Sequence, residues 1–183
     1  MIPTVIAVGL IALIFAVAAQ AQAPVSKPGP EQKKLEVWVG NWIAEGETKA
    51  GPLGPSSKYT NKATWQMTIG GFVLEGRFVP KSESGDVQGM QILAYDATNK
   101  SYMFAMYFSD GGIEHGTVTP SGNTWSWKGI VIAGGKQYQM RGTDVLSADL
   151  MSDTFTAEIS TDGKIWLPWV EEKSTRTKAT SKK

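Results

Sequence analysis

Two pairs of side chains carry groups that could transfer a proton. Glu45 and Glu47 are two residues apart, so on a strand they share one face, and paired carboxylates can act as acid and base in glycosidases. Glu114 precedes His115, the only histidine of the chain. Two solvated glutamates on an outer sheet face also explain the first pair, and we favour that interpretation. With one histidine and no cysteine, we expect no metal site, no cofactor and no catalytic set.

Other common signatures of catalysis and nucleic-acid binding are missing from the sequence. It contains no Gly-x-Ser-x-Gly nucleophile motif and no Walker or dinucleotide glycine pattern before a helix. The net charge is +1, and without the basic stretch Lys173–Lys183 the chain is mildly acidic. We therefore expect no nucleic-acid partner.

The aromatic side chains supply the candidate binding residues. Trp125 and Trp127 share one strand face, and Phe104 shares another with Tyr102. Core packing accounts for most of these rings, yet a barrel of about ten strands can be too wide for its side chains to fill. We therefore expect a pocket for a small, partly apolar ligand, with Trp65, Trp125, Trp127 and Phe104 as ligand-binding residues.

Arg141 is the candidate polar contact of this pocket. Parity alone does not say whether it points into the barrel or out of it. An inward Arg141 would need an acidic partner, which could be the head group of a ligand, because its fork suits a carboxylate. Asp144 lies on the opposite face of the same strand, whereas Glu75 and Glu158 could pair with it from other strands. An outward Arg141 on a solvated face is the alternative that we favour.

The elements that would position these residues are short strands. Residues Ser57–Ile69 alternate strictly between apolar and polar side chains, which separates them into two faces only on a strand. One short helix is predicted over Pro30–Val39. Ten strands are predicted at 42–48, 57–69, 72–78, 87–95, 102–108, 113–119, 124–132, 136–145, 155–160 and 166–173.

Tight turns rich in glycine join these strands, and no segment between them is helical enough for a parallel crossover. A meander of this length exposes its edges unless it closes on itself. The sequence therefore predicts an all-β fold, a closed antiparallel up-and-down barrel, with a two-sheet sandwich as the alternative.

The first residues have the features of an export signal. Val5–Ala19 is an unbroken apolar run, shorter than the ~20 residues of a membrane-spanning helix. Ala19-Gln20-Ala21 follows it as a cleavage site. We expect a signal peptide at 1–21 and a periplasmic or extracellular protein. An uncleaved signal, which would be the only contact with a membrane, is the alternative.

Several motifs occur in an order that resembles a known superfamily. Gly40-Asn41-Trp42, after a short helix, is similar to the Gly-x-Trp signature of lipocalin-like (calycin) barrels. The later motifs resemble an uncharacterised family of secreted bacterial domains related to nitrobindin; they are Gly70-Gly71-Phe72, Gly89, Tyr95-Asp96, Tyr102 and Ser109-Asp110-Gly111. The resemblance spans Leu35 to about Arg176.

The resemblance carries structural expectations. It implies that Trp42 plugs one end of the barrel and that an arginine of the last strand packs over it, for which Arg176 is the nearest candidate. Nitrobindin-like proteins that bind haem use a histidine on a late strand. The late strands here contain none, so we expect no haem.

These observations predict four segments: a signal peptide (1–21), a leader (22–34), a lipocalin-like barrel domain (35–174) and a basic disordered tail (175–183). The predicted function is binding of a small amphiphilic ligand rather than catalysis. Two alternatives stay open, an enzyme with a carboxylate and histidine site at the barrel mouth and a structural envelope protein with a filled barrel. The sequence predicts no oligomeric state.

Overall fold

The structure, a computed structural model, describes residues 27–83 and 85–177. The predicted signal peptide, the leader up to residue 26 and the tail from residue 178 lie outside these residues. Helix α1 spans Pro30–Lys34 and continues as a 3-10 turn over Leu35–Trp38. The predicted helix is therefore present, but its second half is wound more tightly. No helix in the described ranges is long and apolar enough to cross a membrane.

Ten long strands and one pair of two-residue strands make up the sheet. The two-residue pair, which was not predicted, interrupts the connection that follows the third strand. The bounds are β1 Gly40–Thr48, β2 Ser57–Thr68, β3 Val73–Phe78, β4 Lys81–Ser82, β5 Gly85–Asp86, β6 Gly89–Asp96, β7 Ser101–Phe108, β8 Ile113–Ser121, β9 Thr124–Ala133, β10 Lys136–Leu146, β11 Ser152–Ser160 and β12 Leu167–Arg176.

The sheet closes into an antiparallel barrel, as predicted. Apart from the β4–β5 arm, each strand pairs with its neighbour in sequence, and β1 pairs with both β2 and β12. Closure leaves the ten long strands without a free edge. The last strand runs to Arg176, so it extends past residue 174, the predicted end of the domain.

Alternation along each strand builds the interior. In β2, Tyr59, Ala63 and Trp65 are partly buried, whereas Lys58 and Lys62, which alternate with them, are exposed. In β10, Tyr138, Met140 and other inward residues form part of one core cluster that spans the barrel. The sequence pattern therefore gives both the strands and the face that each presents to the core.

Trp42 plugs one end of the barrel. Its indole Nε1 donates to the Trp38 carbonyl at 2.9 Å. The Arg176 guanidinium lies 4.7 Å from the Trp42 ring and donates to the Val37 carbonyl. These contacts confirm the two residues implied by the lipocalin-like resemblance, and they tie the 3-10 turn to the first and last strands.

Candidate ligand cavity

A cavity of about 410 Å³ occupies the barrel interior. It begins at Trp38 and Trp42 of the plugged end and extends to Pro80, Gly85 and Val87, in the connection between β3 and β6. That connection carries the short β4–β5 arm, so the unpredicted strands border the cavity at the end opposite the plug.

Most of the cavity wall is apolar. Its largest rings pack against glycines, whose missing side chains leave room for them. Trp65, Phe104, Trp127 and further aromatic and aliphatic residues line it. Gly76 lies opposite Trp65 in the ladder, and a Cβ at Gly76 would come within 2.5 Å of the Trp65 ring. The sequence thus lets a large ring lie flat against the inner sheet surface instead of filling the barrel.

Three carboxyl groups from adjacent strands lie in the same cavity. Asp144 belongs to β10, Asp153 to β11 and Glu172 to β12, and all three line the cavity. The indole Nε1 of Trp127 donates to Asp144 Oδ2, and the Ser174 hydroxyl donates to Glu172 Oε1 at 3.2 Å. We call Asp144, Asp153 and Glu172 the carboxyl cluster.

Burial shifts the protonation of this cluster. It raises the pKa of Asp144, and the adjacent Asp153 carboxyl raises it further. Burial also raises the pKa of Asp153 and of Glu172, and the hydrogen bond from Tyr59 offsets part of the increase at Glu172. The cluster therefore holds protons at a pH at which exposed carboxyls have lost them.

A fourth carboxyl, that of Glu114 on β8, also lines the cavity. Burial raises its pKa to about 7. Among the described residues, none that lines the cavity is Lys, Arg or His, and no ion pair includes any of the four carboxyls. The cavity is thus apolar in its wall and acidic in its polar groups.

Three buried polar atoms at the cavity have no hydrogen-bond partner. They are Asp153 Oδ1, Asn61 Oδ1 and Trp38 Nε1. Asp153 is only 6% exposed, and Trp38 is 8% exposed. A buried polar group without a partner is costly, and each of these atoms has almost no accessible surface, so a bound molecule can supply a hydrogen bond only after a neighbouring side chain shifts.

The structure brings together three of the predicted ligand-binding residues. Trp65, Phe104 and Trp127 line the cavity. Trp125 is buried but does not line the cavity; it packs behind the lining residue Trp38, with its ring centroid 5.7 Å from that of Trp38 and 5.8 Å from that of Tyr102. It supports the plugged end. Whether any of these residues binds a ligand stays a prediction.

Arg141 does not reach the cavity, so the condition on which its predicted role depended is not met. Its Nε donates to Glu158 Oε2 at 2.6 Å, and its guanidinium lies 4.3 Å from the Trp166 ring. Its side chain is 47% exposed on the outer face. The reason is the pleat: Tyr138, Met140 and Asp144, at even positions, occupy the inner face of β10, so Arg141 at an odd position points outward.

The proton-transfer candidates do not form a joint site. Glu114 is buried and points inward, whereas His115, the next residue on β8, is exposed. Glu45 and Glu47 alternate with the inward-facing Ala44 and Gly46, so they lie on the outer face of β1, where Glu47 pairs with Lys49 at 2.9 Å. No group of metal-ligating side chains was found in residues 27–83 and 85–177.

Sequence reasoning missed the carboxyl cluster. The available signal was parity, because Asp144 lies an even number of residues from Tyr138 and Met140. Glu172 stands in the same relation to Ser174 and Arg176, on the face of β12 that packs over Trp42. Acidic residues on an otherwise apolar strand face mark a polar position inside a barrel.

Two solved structures share the fold. The crystal structure of Rv2717c from M. tuberculosis is 13% identical over 82% of this chain and 99% of its own, with a TM-score of 0.57. The S-type phycobiliprotein lyase CPES from Guillardia theta is 12% identical over 82% of this chain and 94% of its own, with a TM-score of 0.54. At these identities the similarity shows the fold alone.

The sequence itself matches one family model. No curated protein matches the chain. The model described as "Protein of unknown function (DUF1579)" matches residues 27–176, which include α1 and every strand of the barrel. The chain belongs to the DUF1579 family.

Proposed function

We propose that this protein binds a small, partly apolar ligand inside its barrel. The observation that carries the proposal is the cavity of about 410 Å³, which has an apolar wall and a few polar groups, chiefly the carboxyl cluster. Ligand pockets typically measure ~300–1,000 Å³ and have this composition. A structural protein with a filled barrel would leave no cavity of this size.

The relation to lipocalin-like and nitrobindin-like barrels is part of the same proposal. Gly40-Asn41-Trp42 and the Arg176 guanidinium over the Trp42 ring support it. In this view the plugged end is a structural feature inherited with the fold, and specificity depends on the residues that line the cavity.

We also propose that the protein is exported and works in the periplasm or outside the cell. The apolar run Val5–Ala19 and the site Ala19-Gln20-Ala21 support export. N-terminal sequencing of protein from the host envelope should find a chain that starts near Gln22. An intact Met1 on membrane-bound protein would replace export by anchoring.

The binding proposal is tested by native mass spectrometry of protein purified from its own host. The expected result is a mass above that of the polypeptide, released on denaturation. Ala63 lines the cavity on β2, whereas Lys62 beside it is exposed, so Ala63→Phe fills the cavity and Lys62→Phe is its matched control. The extra mass should disappear in Ala63→Phe and persist in Lys62→Phe. The same extra mass on all three proteins would place the ligand elsewhere.

A further inference from the structure

The polar groups of the cavity have one sign of charge. Asp144, Asp153, Glu172 and Glu114 line it, and the described lining residues include no basic side chain. Arg176, which shares a face of β12 with Glu172, is occupied by the Trp42 ring and the Val37 carbonyl. A buried carboxylate without a cation is unfavourable. The site therefore attracts a positively charged ligand and repels an anion.

The unpaired atoms point to a ligand that donates hydrogen bonds. Asp153 Oδ1 and Asn61 Oδ1 are acceptors, and neither has a partner. Asp153 is more than nine-tenths buried and lines the cavity, and its carboxyl also shares a hydrogen bond with Asp144. The third unpaired atom, Trp38 Nε1, is a donor and suits an oxygen atom on the same ligand.

The wall next to the carboxyl cluster suits the body of an organic cation. The Trp127 indole donates to Asp144, which places an aromatic ring directly beside a carboxyl of the cluster. The ring edge that carries the N–H faces this carboxyl, and the apolar wall beyond it buries hydrocarbon. A bare metal ion lacks an apolar body, and no group of side chains in residues 27–83 and 85–177, the carboxyl cluster included, has the arrangement of a metal site.

We propose that the cavity takes an organic amine, with its ammonium group among Asp144, Asp153 and Glu172 and its apolar body along the aromatic wall. This inference rests on the proposed function and names its ligand class. An acidic ligand held by Arg141, which the sequence left possible, is ruled out as the ligand class because Arg141 lies on the outer face.

Binding should depend on pH in a defined direction. The groups that face the cluster are Tyr59 from β2 and Glu114 from β8; the neighbouring Trp127 of β9 does not titrate. Burial raises the pKa of each cluster carboxyl, so these groups carry protons at low pH and lose them as the pH rises. An alkylammonium stays charged below its pKa of ~10. Its affinity should therefore increase from pH 5 to pH 8.

The experiment compares three probes of equal chain length: decylamine, decanol and decanoate. Each is titrated into the purified barrel by calorimetry and by tryptophan fluorescence. We expect decylamine to bind at least about tenfold more tightly than decanol, and decanoate to bind most weakly. Equal or tighter binding of decanol or decanoate would overturn the amine class and leave the binding function standing. No binding of any probe would contradict the binding function itself.

Variants locate the ammonium group. Asp153→Asn and Glu172→Gln keep the side-chain volume and remove a charge, so each should weaken decylamine about tenfold and leave decanol unchanged. Glu158→Gln is the matched control, because Glu158 lies on the same strand as Asp153 but faces outward to Arg141. An equal loss of decylamine and decanol in the two cluster variants would refute the ammonium position. The comparison of the three probes on the unmodified protein decides the class even where a variant does not fold.

Discussion

Carboxyl groups on the two faces of this barrel have different surroundings. On the outer face, Glu158 pairs with Arg141 at 2.6 Å and Glu75 pairs with Arg77 at 2.8 Å. On the inner face, Asp144 and Asp153 share the cavity with other acids, and no basic side chain of the described chain joins them. The outer carboxylates have a basic partner, Arg77 on the same strand and Arg141 on the neighbouring one, whereas the inner carboxyls have hydrogen bonds but no cation among the described residues.

The difference separates what stabilises the sheet from what the barrel can bind. Exposed ion pairs contribute roughly 0–1 kcal/mol each, so the outer pairs matter little for folding. Inner carboxyls destabilise the folded chain when they ionise. Groups whose pKa is shifted by burial in a concave site are candidates for function. The proposed ligand site is therefore on the inner face.

The largest expected effect is on the pH dependence of stability, through Glu114. Burial raises the pKa of Glu114 from 4.5 to about 7, so the folded chain holds a proton that the unfolded chain releases. The free energy of unfolding therefore falls as the pH rises through this window. Glu114→Gln removes the contribution of this one carboxyl, so the loss of stability between pH 4 and pH 8 should shrink by about 3 kcal/mol. Urea denaturation at both pH values measures it.

Glu45→Gln is the control for this prediction, because Glu45 is an exposed carboxyl of the outer face. Its stability should change with pH as that of the unmodified protein does. If Glu114→Gln also follows the unmodified protein, the inner face would not differ from the outer one in the way described.

A smaller effect is expected from the indole that donates to Asp144. Trp127→Phe keeps an aromatic ring but removes the Nε1 donor, so the buried Asp144 Oδ2 loses that bond. We expect a loss of about 2 kcal/mol in the free energy of unfolding. Trp166→Phe, which alters the ring under the outer Arg141, should cost less than about 1 kcal/mol. Equal losses in chemical denaturation would remove the contrast between the two tryptophans.

The smallest effect is expected from Arg141. Arg141→Met breaks an exposed pair with Glu158, so the free energy of unfolding should fall by less than about 1 kcal/mol. Affinity for decylamine and decanol should stay the same, because Arg141 does not line the cavity. A clear loss of affinity, measured by the same fluorescence titration, would show that the outer face takes part in binding.

The sequence predicted the barrel because strand alternation and closure are local and general constraints. The Ser57–Ile69 pattern assigned β2, and the Gly-x-Trp resemblance identified the plug formed by Trp42 and Arg176. The sequence did not decide which face of β10 points inward, because both faces carry polar residues: Gln139 and Arg141 on one, and Asp144 beside Tyr138 on the other. Parity places Asp144 on the same face as Tyr138 and Met140, but the fold was needed to show that this face is the inner one.

The candidate site was predicted only in part for a second reason. Trp125 and Trp127 share a strand face, so parity treats them alike, but register places Trp125 beside Trp38 at the plug and Trp127 at the cavity. The carboxyl cluster draws one residue from each of three strands. Its members are distant in sequence and meet only through pairing of β10 with β11 and of β11 with β12.

The central claim is that the barrel interior binds a ligand, and one titration tests it most directly. N-phenyl-1-naphthylamine, a neutral apolar probe that fluoresces when shielded from water, is titrated into the unmodified protein, Ala63→Phe and Lys62→Phe. We expect saturable fluorescence with the unmodified protein and with Lys62→Phe, and at least a tenfold weaker response with Ala63→Phe, whose new ring occupies the cavity. Equal binding by all three proteins, or none by the unmodified protein, would contradict the claim.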